Sequence, residues 1–184
     1  MASPEKIRVT EEEYLATMTG EKPSLEYVNG EIFRKPLTKE PHLVLADEIL
    51  AAFRHYRAKV GGMSGPEPTV DLSDGEDRRY RVPDAAYWGS GRERTGGVFV
   101  PPTALVEIRS EGQSLGELRT KCREYRAGGV DVCWLIDTQT RSVEVFDAKS
   151  DGAMLAPDTA LETTAMPGFH LPLVELWDAL GDEA

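Results

Sequence analysis

A single glutamate inside an apolar segment is the feature that most restricts how this chain can fold. Glu107 lies within the run 104–109, Ala-Leu-Val-Glu-Ile-Arg, which has the length and composition of a buried strand. Burying an ionised carboxylate is costly unless it is paired or bound to a cation. The fold must therefore bring a positive charge to Glu107, either a Lys or Arg side chain or a metal ion.

Two side chains are candidates for that charge. Successive strand side chains point to opposite faces, so Leu105, Glu107 and Arg109 share one face of the predicted strand. Lys121 lies on the next helix, about 40° beyond the Tyr125 edge of its apolar stripe, which directs it along the sheet surface. Glu107 can therefore form a buried ion pair with Arg109 or Lys121, or hold a metal. Lys121 can equally be an ordinary solvated residue of its helix.

Asp84 is the second candidate carboxylate. It follows Pro83, which has no amide hydrogen and therefore belongs at a strand edge or a bulge. Asp84 can be a simple hydrogen-bond acceptor in a turn. Together with Glu107 and a backbone carbonyl such as that of Ile108, it can instead supply the oxygen ligands that Mg²⁺ prefers. With a cation nearby, such a group is suited to metal-assisted phosphodiester hydrolysis.

The rest of the sequence predicts alternating helices and strands. A capping box at Thr10 and Glu13 begins a short helix that ends near Thr17, and Asn29-Gly30 is typical of a hairpin turn. The other predicted elements are hairpin strands over 25–28 and 31–34, a helix over 41–59, strands over 69–72, 80–88 and 103–109, a helix from a second capping box (Ser114 and Glu117) to Gly128, strands over 131–136 and 142–146, and one short strand or helix near 171–180. This order predicts one mixed α/β domain over 1–184 with helices packed on a central sheet and flexible ends at 1–9 and 181–184.

Apolar segments and cysteines exclude several classes of protein. No apolar run is long enough to cross a membrane, and the first residues lack a signal-peptide core, so we expect a cytoplasmic protein with no membrane partner. Cys122 and Cys133 are expected to be buried thiols without a disulfide. The spacing of cysteines and the three histidines does not predict a zinc site.

The charge is negative overall but uneven. A net charge of -11 argues against sequence-blind DNA binding. Residues 150–184 contain seven acidic residues and no Lys or Arg. Basic residues occur near Asp84 and on the helix after Glu107, namely Arg78, Arg79, Arg81, Arg92 and Arg94, then Arg119, Lys121, Arg123 and Arg126. They can form a locally basic nucleic-acid surface, or a solvated surface of mixed charge.

An ordered set of motifs resembles a known family. Val82-Pro83-Asp84, followed after about twenty residues by Glu107 in a strand, resembles the signature of the PD-(D/E)XK nuclease superfamily. The longer set resembles the Uma-type restriction endonuclease family, and comprises Leu25 to Glu31, Leu105 to Ser110, Ser114-Leu115, Glu117 to Arg119, Lys121, Glu124-Tyr125, Gly129-Val130, Trp134 to Asp137 and Met166 to Phe169. This resemblance covers nearly the whole chain.

The resemblance implies a restriction-endonuclease-like fold, a central mixed β-sheet flanked by helices with an N-terminal hairpin. It implies a phosphodiester hydrolase acting on DNA, with Asp84 and Glu107 as ligands of Mg²⁺ or Mn²⁺. Arg109 occupies the lysine position of the motif, where an always-charged guanidinium cannot act as a base. It is expected to contact phosphate or to pair with Glu107. The lysine role is then expected at Lys121 on the following helix.

Two further residues are expected near the metal site. Glu26, in the hairpin, matches a position of the family, and His42 begins the long helix on its core-facing side. Both are expected to lie behind the metal ligands; the alternative for both is a purely structural role. Gln113 departs from the family, which usually has an acidic residue there. A homodimer would allow both strands of a duplex to be cut. The alternative function is a non-catalytic binding or interaction module on the same fold.

Overall fold

The computed structural model describes residues 8–91 and 97–181. The helices are α1 (Glu11–Thr17), α2 (Glu40–Val60), α3 (Leu115–Ala127) and α4 (Leu173–Ala179). The strands are β1 (Leu25–Val28), β2 (Glu31–Arg34), β3 (Met63–Pro66), β4 (Val70–Asp71), β5 (Arg79–Arg81), β6 (Ala85–Trp88), β7 (Ala104–Arg109), β8 (Val132–Asp137), β9 (Ser142–Phe146), β10 (Asp151–Met154), β11 (Ala160–Leu161) and β12 (Leu171–Pro172). Within these ranges no helix combines the length and apolar character needed to cross a membrane. Arg92 and Arg94 and most of the predicted flexible ends lie outside the described residues.

Six strands form the central sheet, in the order β10-β9-β8-β7-β6-β3. β7 and β8 run parallel, and the other neighbours are antiparallel, so the sheet is mixed, as predicted. α2 packs on one face, in a core that contains Phe53 and Val106. α3 packs on the opposite face, in a core that contains Leu118 and Leu105. The alternation predicted for β7 is therefore confirmed, and its polar side chain Glu107 faces α3.

A smaller sheet carries the predicted hairpin, in the order β2-β1-β5-β4. Tyr27 of β1 is the register partner of Tyr80 of β5. Tyr14 of α1 stacks on Tyr27 with ring centroids 5.2 Å apart, and its hydroxyl donates to the Leu25 carbonyl at 2.9 Å. These rings form a small core of their own, so α1 and the hairpin pack as one unit.

The prediction of one continuous strand over 80–88 is wrong. β5 belongs to the small sheet and β6 to the central sheet. Val82-Pro83-Asp84 joins them, because Pro83 cannot donate to a strand ladder and the chain turns there from one sheet to the other. The Asp84 amide donates to the Val106 carbonyl at 3.1 Å. Asp84 is thereby fixed beside β7, at the corner between the two sheets.

The structure also adds short strands that the sequence does not predict, and it corrects one helix cap. β3 was not predicted, since its sequence Met-Ser-Gly-Pro has little strand propensity; it forms as an edge strand paired with β6. The second capping box is wrong, because Ser114 precedes α3 but its side chain makes no capping hydrogen bond. The tail contains three short strands as well as α4. Cys122 and Cys133 are buried free thiols, as predicted.

Thr10 gives a direct test of the first helix cap. Its hydroxyl oxygen accepts from the Glu13 amide at 3.1 Å. We expect Thr10→Ala to lower the free energy of unfolding by about 1 kcal/mol, the usual cost of losing such a cap. Ser114→Ala is the matched control, since its side chain makes no cap bond, and it should change stability much less. Urea unfolding curves measure both; equal losses in the two variants would contradict the expectation.

Candidate active site

Glu107 is buried on the face of β7 that α3 covers. Only 2% of its surface is exposed. Its Oε1 accepts hydrogen bonds from the Lys121 ammonium at 2.8 Å and from the Tyr125 hydroxyl at 2.7 Å. Both donors come from α3, one turn apart. The cation required by the sequence argument is therefore Lys121.

Asp84 is buried at the corner between the sheets and is fully engaged by donors. Its Oδ1 lies 2.5 Å from the Lys35 ammonium and 3.2 Å from His42 Nε2. Its Oδ2 accepts from the Ile108 amide at 2.6 Å. That amide follows Glu107 directly, so the backbone of β7 connects the two carboxylates.

Glu26, on β1, brings the small sheet into the same site. Its carboxylate pairs with Lys121 at 2.5 Å and with Arg81 at 2.9 Å, and it accepts from the Val82 amide at 2.9 Å. Lys121 therefore lies between two buried glutamates, one from each sheet. Arg81 pairs in turn with Glu124 of α3 at 2.6 Å. The result is a continuous ionic network across the junction of the two sheets.

The surroundings lower the pKa of two of the three carboxylates and raise the pKa of the third. Burial alone would raise the pKa of Glu26, but the charges of Lys121, Arg81 and Lys35 outweigh it and lower that pKa to about 2. Burial likewise opposes ionisation of Asp84, yet Lys35 and His42 hold its pKa well below the usual range. At Glu107 the effect of burial is larger than that of Lys121 and Lys35, and the negative charges of Asp84 and Glu26 add to it. The pKa of Glu107 is therefore raised.

A cleft of about 400 Å³ opens over this network. Its walls include Glu26, Lys35, Arg81 and Lys121, together with side chains from the start of α3. Of the three carboxylates Glu26 is a wall residue, whereas Asp84 and Glu107 are not and are reached through their partners Lys35 and Lys121, which are. A wider depression elsewhere, near His170, includes none of these residues. The cleft beside Lys121 is therefore the candidate substrate site.

The Uma2 family, described as "Putative restriction endonuclease", matches residues 11–176. The chain belongs to the Uma2 family. None of the curated proteins matches the sequence.

A solved structure shows which fold this Uma2 protein has. The crystal structure of "a putative nuclease belonging to DUF820" from Anabaena variabilis superposes with a TM-score of 0.81. The two sequences are 21% identical over 94% of this chain and 99% of that chain. At this level of identity the similarity concerns the fold alone, and it confirms the predicted restriction-endonuclease-like architecture.

Arg109 pairs with residues outside the ionic network at the junction of the two sheets. Its guanidinium donates to Asp137 at 2.9 Å and to the Gln113 carbonyl at 3.1 Å. Asp137 is its register partner on β8. Arg109 therefore does not form the ion pair with Glu107 that is one of the two alternatives from the sequence. Gln113 is also engaged locally, since its side chain accepts from the Ser110 amide at 2.8 Å.

Glu26 and His42 both contact residues of the candidate site. His42 contacts Asp84 through Nε2 and the Ser110 hydroxyl through Nδ1, at 3.1 Å. Glu26 contacts Lys121, which contacts Glu107. Arg79 and Arg81, two of the basic residues near Asp84, lie on β5, and both pair with Glu124.

Lys35 is the site residue that sequence reasoning missed. It follows β2 in the segment Arg34-Lys35-Pro36, which has no periodic pattern. Its position at Asp84 depends on the packing of the small sheet against the corner of the central sheet. A lone lysine beside a hairpin carries no sequence signal for such a contact.

The donor set of Asp84 and Glu107 fits a divalent cation of the Mg²⁺ type. Both offer carboxylate oxygens, and the contacts of Glu107 with Lys121 and Tyr125 both use Oε1, so Oε2 is the oxygen better suited to a metal. Within residues 8–91 and 97–181 no three His, Cys, Asp or Glu side chains form a ready cage. This absence is compatible with Mg²⁺, which usually keeps several water ligands and binds through one or two carboxylates.

The low pKa of Glu26 predicts a pH dependence of stability. A carboxylate whose pKa falls from 4.5 to about 2 on folding stabilises the protein above pH 4.5, and this contribution is lost as the pH falls toward 2. We expect Glu26→Gln to be less stable than wild type at pH 7, and the difference to shrink steadily between pH 5 and about 2. Urea unfolding at several pH values measures this difference. A difference that does not change with pH would contradict the assignment.

Proposed function

We propose that this Uma2 protein is a Mg²⁺- or Mn²⁺-dependent phosphodiester hydrolase that acts on DNA. One observation carries the proposal: Asp84 and Glu107 are both buried, Asp84 accepts from the amide of the residue that follows Glu107, and Lys121 contacts Glu107 at the wall of a cleft. Asp84 and Glu107 would hold the metal ion. Bound there, the ion would supply an activated water and neutralise charge on the phosphoryl group.

Lys121 is suited to stabilising negative charge and not to accepting a proton. Burial opposes its charged form, but Glu107 and Glu26 outweigh burial and raise the pKa of the ammonium above its usual value. Lys121 therefore stays protonated at neutral pH. Tyr125 also remains a hydrogen-bond donor, since burial and the charge of Glu107 raise its pKa well above the ordinary value. We assign Lys121 to the developing charge on the phosphate oxygens.

Arg109 has a supporting place in this scheme. In the free protein it pairs with Asp137 at the ends of β7 and β8. A phosphate contact would require its guanidinium to leave that pair or to share it. We therefore assign the contact with the scissile phosphate to Lys121 and leave Arg109 as a candidate for a neighbouring phosphate.

A second candidate function is a non-catalytic binding module on the nuclease fold. The observation that favours it is the existing neutralisation of the two carboxylates, Asp84 by Lys35 and Glu107 by Lys121. A buried ion pair of this kind can be purely structural. The two functions differ in their need for a metal, which makes them separable by experiment.

Cleavage assays test the proposed function. Purified protein is incubated with supercoiled plasmid, linear duplex, single-stranded DNA and structured RNA, in Mg²⁺, in Mn²⁺ and in EDTA. Metal-dependent cleavage of DNA that EDTA abolishes is the expected result. RNA cleavage in its place would correct the substrate, and no cleavage of any substrate would favour the binding module. Light scattering in the same buffer tests the proposed homodimer.

A further inference from the structure

Lys35 is a charged residue of the site to which the proposed chemistry gives no task. It extends from the small sheet toward the corner of the central sheet and lines the cleft. Only 9% of its side chain is exposed. A buried lysine is costly unless its charge is matched, so the position of its ammonium is informative.

The Lys35 ammonium has two acceptors, both at the corner. It lies 2.5 Å from Asp84 Oδ1 and 2.8 Å from the Val82 carbonyl. Mg²⁺ binds carboxylate oxygens at about 2.0–2.1 Å. The ammonium therefore occupies space that a metal ion on that Asp84 oxygen would need.

The charges next to the proposed metal ligands are already matched. Among the described residues, three acids, Glu26, Asp84 and Glu107, pair with three bases, Lys35, Arg81 and Lys121. Arg81 pairs with Glu124 as well. A divalent cation added to this group leaves surplus positive charge unless a base moves away. Like charges repel strongly at such short distances in a partly buried site.

Lys35 is the base that can leave most easily. Among the described residues its ammonium pairs with one carboxylate of this group, Asp84, whereas Lys121 and Arg81 each pair with two. Lys35 also lines the open cleft, so its flexible side chain can turn into that space. His42 and the Ile108 amide would still hold the Asp84 carboxylate in place.

We propose that Lys35 is a displaceable counter-ion of the metal site. In the free protein it neutralises Asp84; when a divalent cation binds, Lys35 gives up that oxygen and turns into the cleft, where its ammonium contacts a phosphate of the nucleic acid. This inference rests on the proposed function, because it requires Asp84 to be a metal ligand. Metal binding and nucleic-acid binding are then coupled through one side chain. The released charge also provides a local attraction for phosphate on a protein of net charge -11.

Calorimetric titration with Mn²⁺ tests this role without reference to cleavage. We expect Lys35→Met to bind Mn²⁺ about tenfold more tightly than wild type, because an internal competitor for the metal site has been removed. The matched control is Lys39→Met, since Lys39 lies on the same segment but is exposed and pairs with Glu111. Its affinity should equal that of wild type. In Ca²⁺, the affinity of Lys35→Met for a short DNA duplex should be about tenfold lower than that of wild type.

A second, milder variant controls for misfolding of Lys35→Met. Lys35→Gln can still donate to the Val82 carbonyl but carries no charge, and it should show the same tighter Mn²⁺ binding. If wild type binds Mn²⁺ and both Lys35 variants bind it equally or more weakly, the counter-ion role is overturned while the metal site stands. If neither wild type nor the variants bind Mn²⁺, the metal site and the counter-ion role are both overturned.

Discussion

Replacing Glu107 with glutamine is expected to abolish Mn²⁺ binding and to slow DNA cleavage by about a thousandfold or more. The variant removes one of two proposed metal ligands, and a thousandfold loss corresponds to about 4 kcal/mol of transition-state stabilisation. The fold should survive, because burial already raises the pKa of Glu107 and so makes a neutral side chain inexpensive there. The amide oxygen of the Glu107→Gln variant could still accept the hydrogen bond from the Tyr125 hydroxyl.

Glu144→Gln provides a matched control for this experiment. Glu144 is also a buried glutamate of the central sheet, 5% exposed, but it lies on β9 and pairs with Arg119 at 2.6 Å. We expect its variant to bind Mn²⁺ and cleave DNA as wild type does. Calorimetry and a plasmid-cleavage time course measure both variants. Retained metal binding in Glu107→Gln would remove Glu107 from the metal site, and equal losses in the two variants would indicate a general effect of neutralising a buried acid.

Replacing Lys121 with methionine is expected to have two separate effects. It leaves Glu26 and Glu107 buried without their shared cation, which should lower the free energy of unfolding by about 3–5 kcal/mol. It should also slow cleavage by about a hundredfold to a thousandfold, as expected when one preorganised donor to the transition state is lost. Metal binding should persist, since no metal ligand is changed.

The separation of these effects identifies the role of Lys121. Cleavage is measured at saturating Mn²⁺ and at a temperature where the variant is folded, and stability is measured by urea unfolding. Arg123→Met is the control on the same helix, because Arg123 is exposed and pairs with Asp151 at the surface. Destabilisation with normal cleavage by the folded variant would assign Lys121 a purely structural role.

The sequence predicts the part of the fold that depends on local patterns. The alternation along β7 predicts the face on which Glu107 lies, and Asn29-Gly30 predicts the hairpin turn. The split of the predicted strand 80–88 could not be predicted in the same way. Both halves contain aromatic or β-branched residues suited to strands, and only the packing of two sheets decides that they separate at Pro83.

In the candidate site, likewise, the sequence predicts contacts between neighbouring elements and not contacts between distant ones. Lys121 has a helical position that directs it toward β7, and its contact with Glu107 follows from one strand and the helix after it. Lys35 reaches Asp84 across 49 positions of sequence, through the docking of the small sheet. For Arg109 the nearest residue in the sequence is not the partner. It follows Glu107 on the same face of β7, yet it pairs with Asp137 on the neighbouring parallel strand β8.

The division of the site between two sheets has a consequence for partial unfolding. Asp84 and Glu107 are anchored at the central sheet, whereas Glu26 and Lys35 come from the hairpin unit, whose core is three tyrosine rings. Small units of this kind open with less free energy than a whole domain. Detachment of the hairpin alone would leave the central sheet folded but expose its two carboxylates to water and remove half of the ionic network. A complete site would therefore exist only in molecules in which the two sheets are docked.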